Sequence, residues 1–353
     1  MSNSARRREI SCLNAAFCIM VILLHLLSDP VTGYAPGSWQ HVLTYVPWKL
    51  FSVAVYGFIF LSGVKLFLPG ARPFQLGRFY RRRAMTILLP YLIAVTVYLL
   101  AFAAAYHYRY DLATLLRCYL LGQAASHFYF VVIVIQFYAL MPLWRLLLRR
   151  VDPLTGVVVM LLFQLLFREL LRVVLSLAVP DYRLMYQDRV FTRYVGIWVC
   201  GCYAGSRYEA FLALLRRNRW LLLTCGLLAA VCNTWLSYHA EVYALWTTAL
   251  DLMQVTYVLF AVLALYVLAD AWVRRGHGAG KRLERFDRVT YHVYLYHMLV
   301  LLMAGSLMTR LGIRSMSLSL LLRAAITFGV TVPGCLLYQT LKTRFLARFR
   351  RAS

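Results

Sequence analysis

The chain has 353 residues, of which 62% are apolar and only 14% charged; it carries 38 Lys and Arg against 13 Asp and Glu, and its mean hydropathy is +0.67. Such a composition is too apolar for a water-soluble fold, so soluble enzymes and soluble nucleic-acid-binding domains are excluded in spite of the basic balance. The expected class is an all-α polytopic membrane protein in a membrane-lipid environment.

A helix needs roughly 20 apolar residues to cross a bilayer. On that measure the apolar runs predict a bundle of about ten transmembrane helices, near 10–28, 44–69, 84–106, 127–147, 154–178, 191–206, 219–238, 246–270, 288–309 and 316–340. Prolines and short polar turns separate them, as at Asp152-Pro153, and no linker is long enough for a second domain. One transmembrane domain over residues 1–353 is expected, inserted in signal-anchor style without a cleavable leader. Most of the 38 basic residues fall on one side if the N-terminus is cytoplasmic. That positive-inside bias predicts a multi-pass plasma-membrane protein with both termini in the cytoplasm. Topology and attraction to anionic lipid then account for part of the charge, and no nucleic acid is needed to explain it. The tail 341–353 reads as a basic amphipathic segment on the inner surface.

The first span holds the most informative side chain, His25, near its far end. An ionisable group inside a span is costly and marks a functional candidate, although a histidine at a helix end also serves as a headgroup-layer anchor. Asp29 follows in Ser28-Asp29-Pro30, which reads either as a solvated turn or as a carboxylate placed to orient His25 one turn away. Between the second and third spans, Arg78-Phe79-Tyr80-Arg81-Arg82-Arg83 packs four guanidinium groups and two rings into six residues. Cytoplasmic anchoring explains part of this; the density also suits a phosphorylated ligand, because guanidinium forks match phosphate oxygens and rings stack on a base.

His127 and Tyr129 open the fourth span, where aromatic-belt anchoring competes with acceptor binding. Arg168, Glu169 and Arg172 interrupt the fifth. Either they face a watery cavity or pair within the bundle, or the helix ends near Phe167 and leaves them in solvent. In the ninth span Tyr291, Tyr294 and His297 recur every three residues on a drifting stripe, so His297 is either a channel or site-lining residue or an interior histidine bonded to a neighbouring helix. The eight cysteines form no CxxC pair or His-Cys cluster, so neither a structural metal nor a disulfide framework is expected.

Over nearly its whole length the chain resembles the membrane-bound acyltransferase-3 family. His25 matches the family's signature histidine, and Phe79-Tyr80-Arg81-Arg82-Arg83 its Phe-Tyr-x-Arg-Arg motif. Phe60-Leu61-Ser62-Gly63, Ser126-His127-Phe128-Tyr129-Phe130 and Thr290-Tyr291-His292-Val293-Tyr294-Leu295-Tyr296-His297 are similar to three further segments. The resemblance implies an acyl-CoA-dependent acyltransferase. Its donor is cytoplasmic acyl-CoA, acetyl-CoA above all, and its acceptor a hydroxyl or amine of an extracytoplasmic envelope carbohydrate. His25 is then the general base and the residues from Phe79 to Arg83 bind the coenzyme. One position departs: many relatives carry arginine eleven residues before the histidine, and this chain has Asn14. The alternative functions are a transporter or flippase of an envelope polymer or lipid-linked sugar, and an inactive scaffold.

Overall fold

The computed structural model describes residues 7–70, 74–178, 186–243, 248–276 and 281–352; the chain is 89% helical, with no strand among those residues. The helices are α1 (Arg8–Gly33), α2 (Trp39–Phe51), α3 (Val53–Phe67), α4 (Leu76–Arg83), α5 (Leu89–Tyr106), α6 (Leu112–Leu121), α7 (Tyr129–Ala139) and α8 (Met141–Arg150). They continue with α9 (Pro153–Ala178), α10 (Val195–Ser206), α11 (Tyr208–Arg217), α12 (Arg219–Val242), α13 (Thr248–Arg274), α14 (Lys281–Arg310) and α15 (Met316–Ala352). Eight helical runs are long and apolar enough to cross a membrane, and α6 with Ser126–Ala139, bent by 52°, makes up to nine. The chain is therefore an all-α polytopic membrane protein, with eight or nine such runs among the described residues where the sequence predicts ten.

Physical reasons account for each difference. The run expected at 191–206 yields an α-helix of only 12 residues, α10, well short of the roughly 20 that span a bilayer. The run expected at 127–147 breaks at Leu140, and Pro142 opens the next helix instead of continuing the first, as suits a residue with no N–H to donate. Helix α6 was not foreseen, although its ends follow ordinary rules. Asp111 caps it by accepting a 2.8 Å hydrogen bond from the Thr114 N–H, and Gly122 stops it at φ +67°. In α1 the chain does not turn at Ser28-Asp29-Pro30; the helix runs through Pro30 to Gly33, and the Tyr34 N–H closes its last turn on the Pro30 carbonyl at 3.0 Å. The helical run also continues across Pro90, where a π-helical turn, Ala84–Leu88, joins α4 to α5 just before it. The tail expected from 341 is helical and continuous with α15 as far as Ala352.

By backbone proximity the chain divides into two compact units. One takes in the described residues of Val55–Trp220 with Gln254–Val262. At its centre is α10, every residue of which from Val195 to Gly205 is buried except Cys200. Glycine makes the close packing possible. A Cβ built on Gly201 or Gly205 would run into the Phe60 or Val64 carbonyl of α3, and one on Gly63 would lie 2.8 Å from the Trp198 carbonyl oxygen. Small residues that let backbones touch are the usual adhesive between helices in lipid, where the hydrophobic effect does not drive association. Trp198 also stacks on Phe137 of α7, with centroids 4.3 Å apart and planes within 9°.

The other unit takes in the described residues of Met1–Ala54, Leu221–Met253 and Leu263–Ser353. Here α14 packs against both α1 and α15, and α1 against α2. The contact between α1 and α14 follows a 3-4 alternation on both helices. Ser11, Asn14, Cys18, Val21 and His25 share one face of α1 at this spacing, and Asp287, Thr290, Tyr294, His297, Leu301 and Ala304 share one face of α14. All but His25 are buried, and His25 is half-buried. Alternating three- and four-residue steps keep one seam facing a partner along a gently supercoiled pair.

Candidate functional site

Side-chain contacts at several levels show how α1 lies on α14. The Asn14 side-chain amide donates to one Asp287 carboxylate oxygen at 2.7 Å, and the Ser11 hydroxyl to the other at 2.7 Å. One turn on, the Cys18 thiol points at the Thr290 carbonyl oxygen at 3.7 Å. Further along, the His25 and His297 rings meet with centroids 5.4 Å apart and planes 41° apart. Residue 14 thus faces 287, 18 faces 290 and 25 faces 297, so the two helices run parallel with an almost constant offset over about three turns.

His297 is completely buried. Its Nδ1 lies 2.7 Å from the Tyr294 carbonyl oxygen and 3.2 Å from that of Val293. A carbonyl can only accept, so the proton sits on Nδ1 and Nε2 is the ring's lone-pair nitrogen. His297 thus bonds to carbonyls of its own helix and brings its ring towards His25. Of the expected stripe, Tyr294 and His297 are buried and Tyr291 is half-buried.

Asp29 does not orient His25. Its carboxylate, one turn beyond, takes a 2.5 Å charge-assisted hydrogen bond from Nη1 of Arg323 on α15. The Arg323 side chain is only 11% exposed, whereas that of Asp29 is 65% exposed. Gly305 of α14 leaves room for the guanidinium, which lies 3.7–3.9 Å from where its Cβ would be. Sequence reasoning singled out neither Arg323 nor Asp287. The readable signal for Asp287 was the 3-4 spacing that carries the Tyr294-His297 stripe back into the charged stretch Arg282–Arg288.

In the other unit, the Phe79–Arg83 cluster separates into inward and outward members. The Tyr80 hydroxyl donates to the Ala139 carbonyl at 2.9 Å. Phe79 packs edge-on against Tyr80 and Tyr138. Arg83 lies half-buried with its guanidinium 5.4 Å from the Phe79 ring centre and 5.2 Å from that of Tyr138. Arg78, Arg81 and Arg82 are exposed. The run from Arg78 to Arg83 therefore builds its own platform from Phe79, Tyr80 and Arg83, and presents its other three guanidinium groups outward.

His127 is buried against Phe128 and Tyr98, at 4.3 and 5.8 Å between ring centres, which is not the setting of a lipid-facing belt residue. Tyr129 is half-buried. Helix α9 does not end near Phe167 but continues to Ala178, so Arg168, Glu169 and Arg172 are helical. Glu169 is half-buried; the side chains of Arg168 and Arg172 lie outside the described residues.

A family model described as an acyltransferase domain matches residues 7–340, nearly the whole chain. No curated protein and no solved structure matches.

Proposed function

This chain belongs to the acyltransferase-3 family and is a membrane acyltransferase, and from that premise we propose that it moves an acyl group, acetyl by family expectation, from cytoplasmic acyl-CoA to a hydroxyl or amine of an extracytoplasmic envelope carbohydrate. His25 is the general base. As the acceptor oxygen attacks the thioester carbonyl, the neutral imidazole takes the hydroxyl proton; the new C–O bond forms, the C–S bond breaks, and the proton passes to the departing coenzyme thiolate. The observation that carries this reading is the approach of His25 to a fully buried second histidine inside a helix seam, 5.4 Å between ring centres. A mere headgroup anchor needs no such partner.

The donor's phosphates are received by Arg78, Arg81 and Arg82, whose exposure and spacing suit phosphate oxygens. Arg83, Phe79 and Tyr80 support that surface. His25 lies 17 residues into α1, about 25 Å along its axis. With the basic N-terminus in the cytoplasm of a plasma-membrane protein, that distance carries His25 towards the outer side and its acceptor. The deciding experiment is His25→Ala in membrane vesicles supplied with radiolabelled acetyl-CoA. Transfer of label to the envelope fraction should fall at least ~100-fold, as expected for loss of a general base, while the amount of protein in the membrane is unchanged. Undiminished transfer by this variant rules out the assignment.

A further inference from the structure

We propose that Asp287, held by Ser11 and Asn14, is a positioning residue: it sets the axial register of α1 against α14 and so determines how His25 approaches His297. Its kinetic part rests on the acyl-transfer reading above; its geometric part does not.

The stripes on the two helices contain mainly apolar or weakly polar side chains between their ends: Cys18 and Val21 on one, Tyr294 and Leu301 on the other. Apolar knobs fit apolar holes almost equally well after a slide of one heptad, so they specify contact but not register. A polar residue in such a seam removes the degeneracy. Asp287 does so with both oxygens, since Ser11 and Asn14 stand one turn apart on α1 and each donates to a different oxygen at 2.7 Å. Displaced by one heptad, the carboxylate would meet Cys18 and Val21, which offer it at best a weak thiol donor. All three partners are at most 7% exposed, so water does not readily replace a lost partner, and an unsatisfied carboxylate in such a place is costly.

The histidine pair lies ten residues further along α14 and eleven along α1, about 15–16 Å from the pin. The helices between are continuous, so an axial error at Asp287 is transmitted to the rings. Misplacement of a catalytic group by about 1 Å can cost on the order of 100-fold in rate. Asn14 thereby acquires a defined task without a charge: it is a neutral donor to the register-setting carboxylate.

The test uses the full chain in lipid nanodiscs and membrane vesicles, with labelled acetyl-CoA as the probe. Asn14→Leu and Asp287→Leu should each lower kcat about tenfold or more while leaving KM for acetyl-CoA within about twofold. The exchange variant, Asn14→Asp with Asp287→Asn, recreates a carboxylate and an amide in reversed places and should recover kcat to within about threefold of the parent. A second readout is independent of turnover: 15N resonances of labelled histidine rings, assigned by their loss in His25→Ala and His297→Ala, should move in Asp287→Leu and return in the exchange variant. If a leucine variant fails to accumulate, Asp287→Asn and the exchange variant give the same comparison between a broken and a restored pair. Unchanged kcat and ring resonances in the single variants, or an exchange variant no better than they are, would overturn the proposal. If the parent protein transfers no label while the resonances shift and recover as described, the register pin stands and the acyl-transfer reading falls.

Discussion

The α3–α10 seam of one unit and the α1–α14 seam of the other solve the same problem with different chemistry. Where α10 meets α3, glycines at 63, 201 and 205 bring backbone onto backbone. Where α1 meets α14, full-sized side chains alternate in a 3-4 pattern and carry polar groups at two levels, Asp287 and the histidine pair. A glycine seam gains from contact alone and tolerates no added atom. A polar seam spends stability on groups that lipid cannot solvate, which is worthwhile only where those groups are used. The contrast predicts that damage to the first seam shows as missing protein, and damage to the second as missing activity.

The largest effect in that comparison is expected at His25, where His25→Ala should remove the proposed general base and at least ~100-fold of transfer while leaving the folded amount intact. Gly201→Leu should do the reverse. Its first added carbon collides with the Phe60 carbonyl of α3, so one of the two helices must move, at a cost of several kcal/mol by analogy with overpacked cores. Measured as folded protein in the membrane and thermal midpoint in detergent, this variant should be severely depleted, and whatever remains folded should retain its turnover. If Gly201→Leu accumulated normally but was inactive, the division between a structural and a chemical seam would be wrong.

The arginine motif sharpens the same distinction within six residues. Arg81 and Arg82 are exposed, whereas Arg83 is held between the Phe79 and Tyr138 rings. Replacing Arg81 and Arg82 together by Gln should raise KM for acetyl-CoA about tenfold, since each charge-assisted hydrogen bond contributes about 1.5–3 kcal/mol in full and less at an exposed site. Arg83→Gln should instead lower the thermal midpoint and leave that KM nearly unchanged, because desolvated cation–π contacts are worth about 1–2 kcal/mol to the fold. Titration of each variant with acetyl-CoA separates the two outcomes. Equal rises in KM would place Arg83 with its neighbours.

How much of this was legible in the sequence follows from the same physics. His25 stood out because an apolar span makes one ionisable residue conspicuous, and the arginine motif because of its density. Asp287 was concealed for the opposite reason: it sits among Arg282, Glu284, Arg285 and Arg288, where composition reads as a solvated cytoplasmic loop. The structure extends α14 back to Lys281 and buries one charged residue of that stretch on the seam. Helix α6 was missed because its ten residues are too few to read as a span, and the break at Leu140 because hydropathy records apolar length and not direction. Asn14 looked like a lost arginine until its partner on another helix, 273 residues away, came into view.

The smallest effect separates polar groups inside the seam from those at its rim. The Asp29 carboxylate pairs with Arg323 one turn beyond His25, but 65% of its side chain is exposed. Exposed pairs contribute about 1 kcal/mol or less, so Asp29→Asn should shift the thermal midpoint by only a degree or two and change kcat less than about threefold. Arg323→Gln should cost more than Asp29→Asn, although both break the same bond. Its guanidinium is almost buried beside Gly305, and a buried side chain loses packing as well as charge when it is truncated. Thermal midpoints of the two single variants and of the double variant measure this asymmetry directly. If Asp29→Asn matched His25→Ala in its loss of turnover, the carboxylate would belong to the reacting groups and the boundary of the site would have to move one turn along α1.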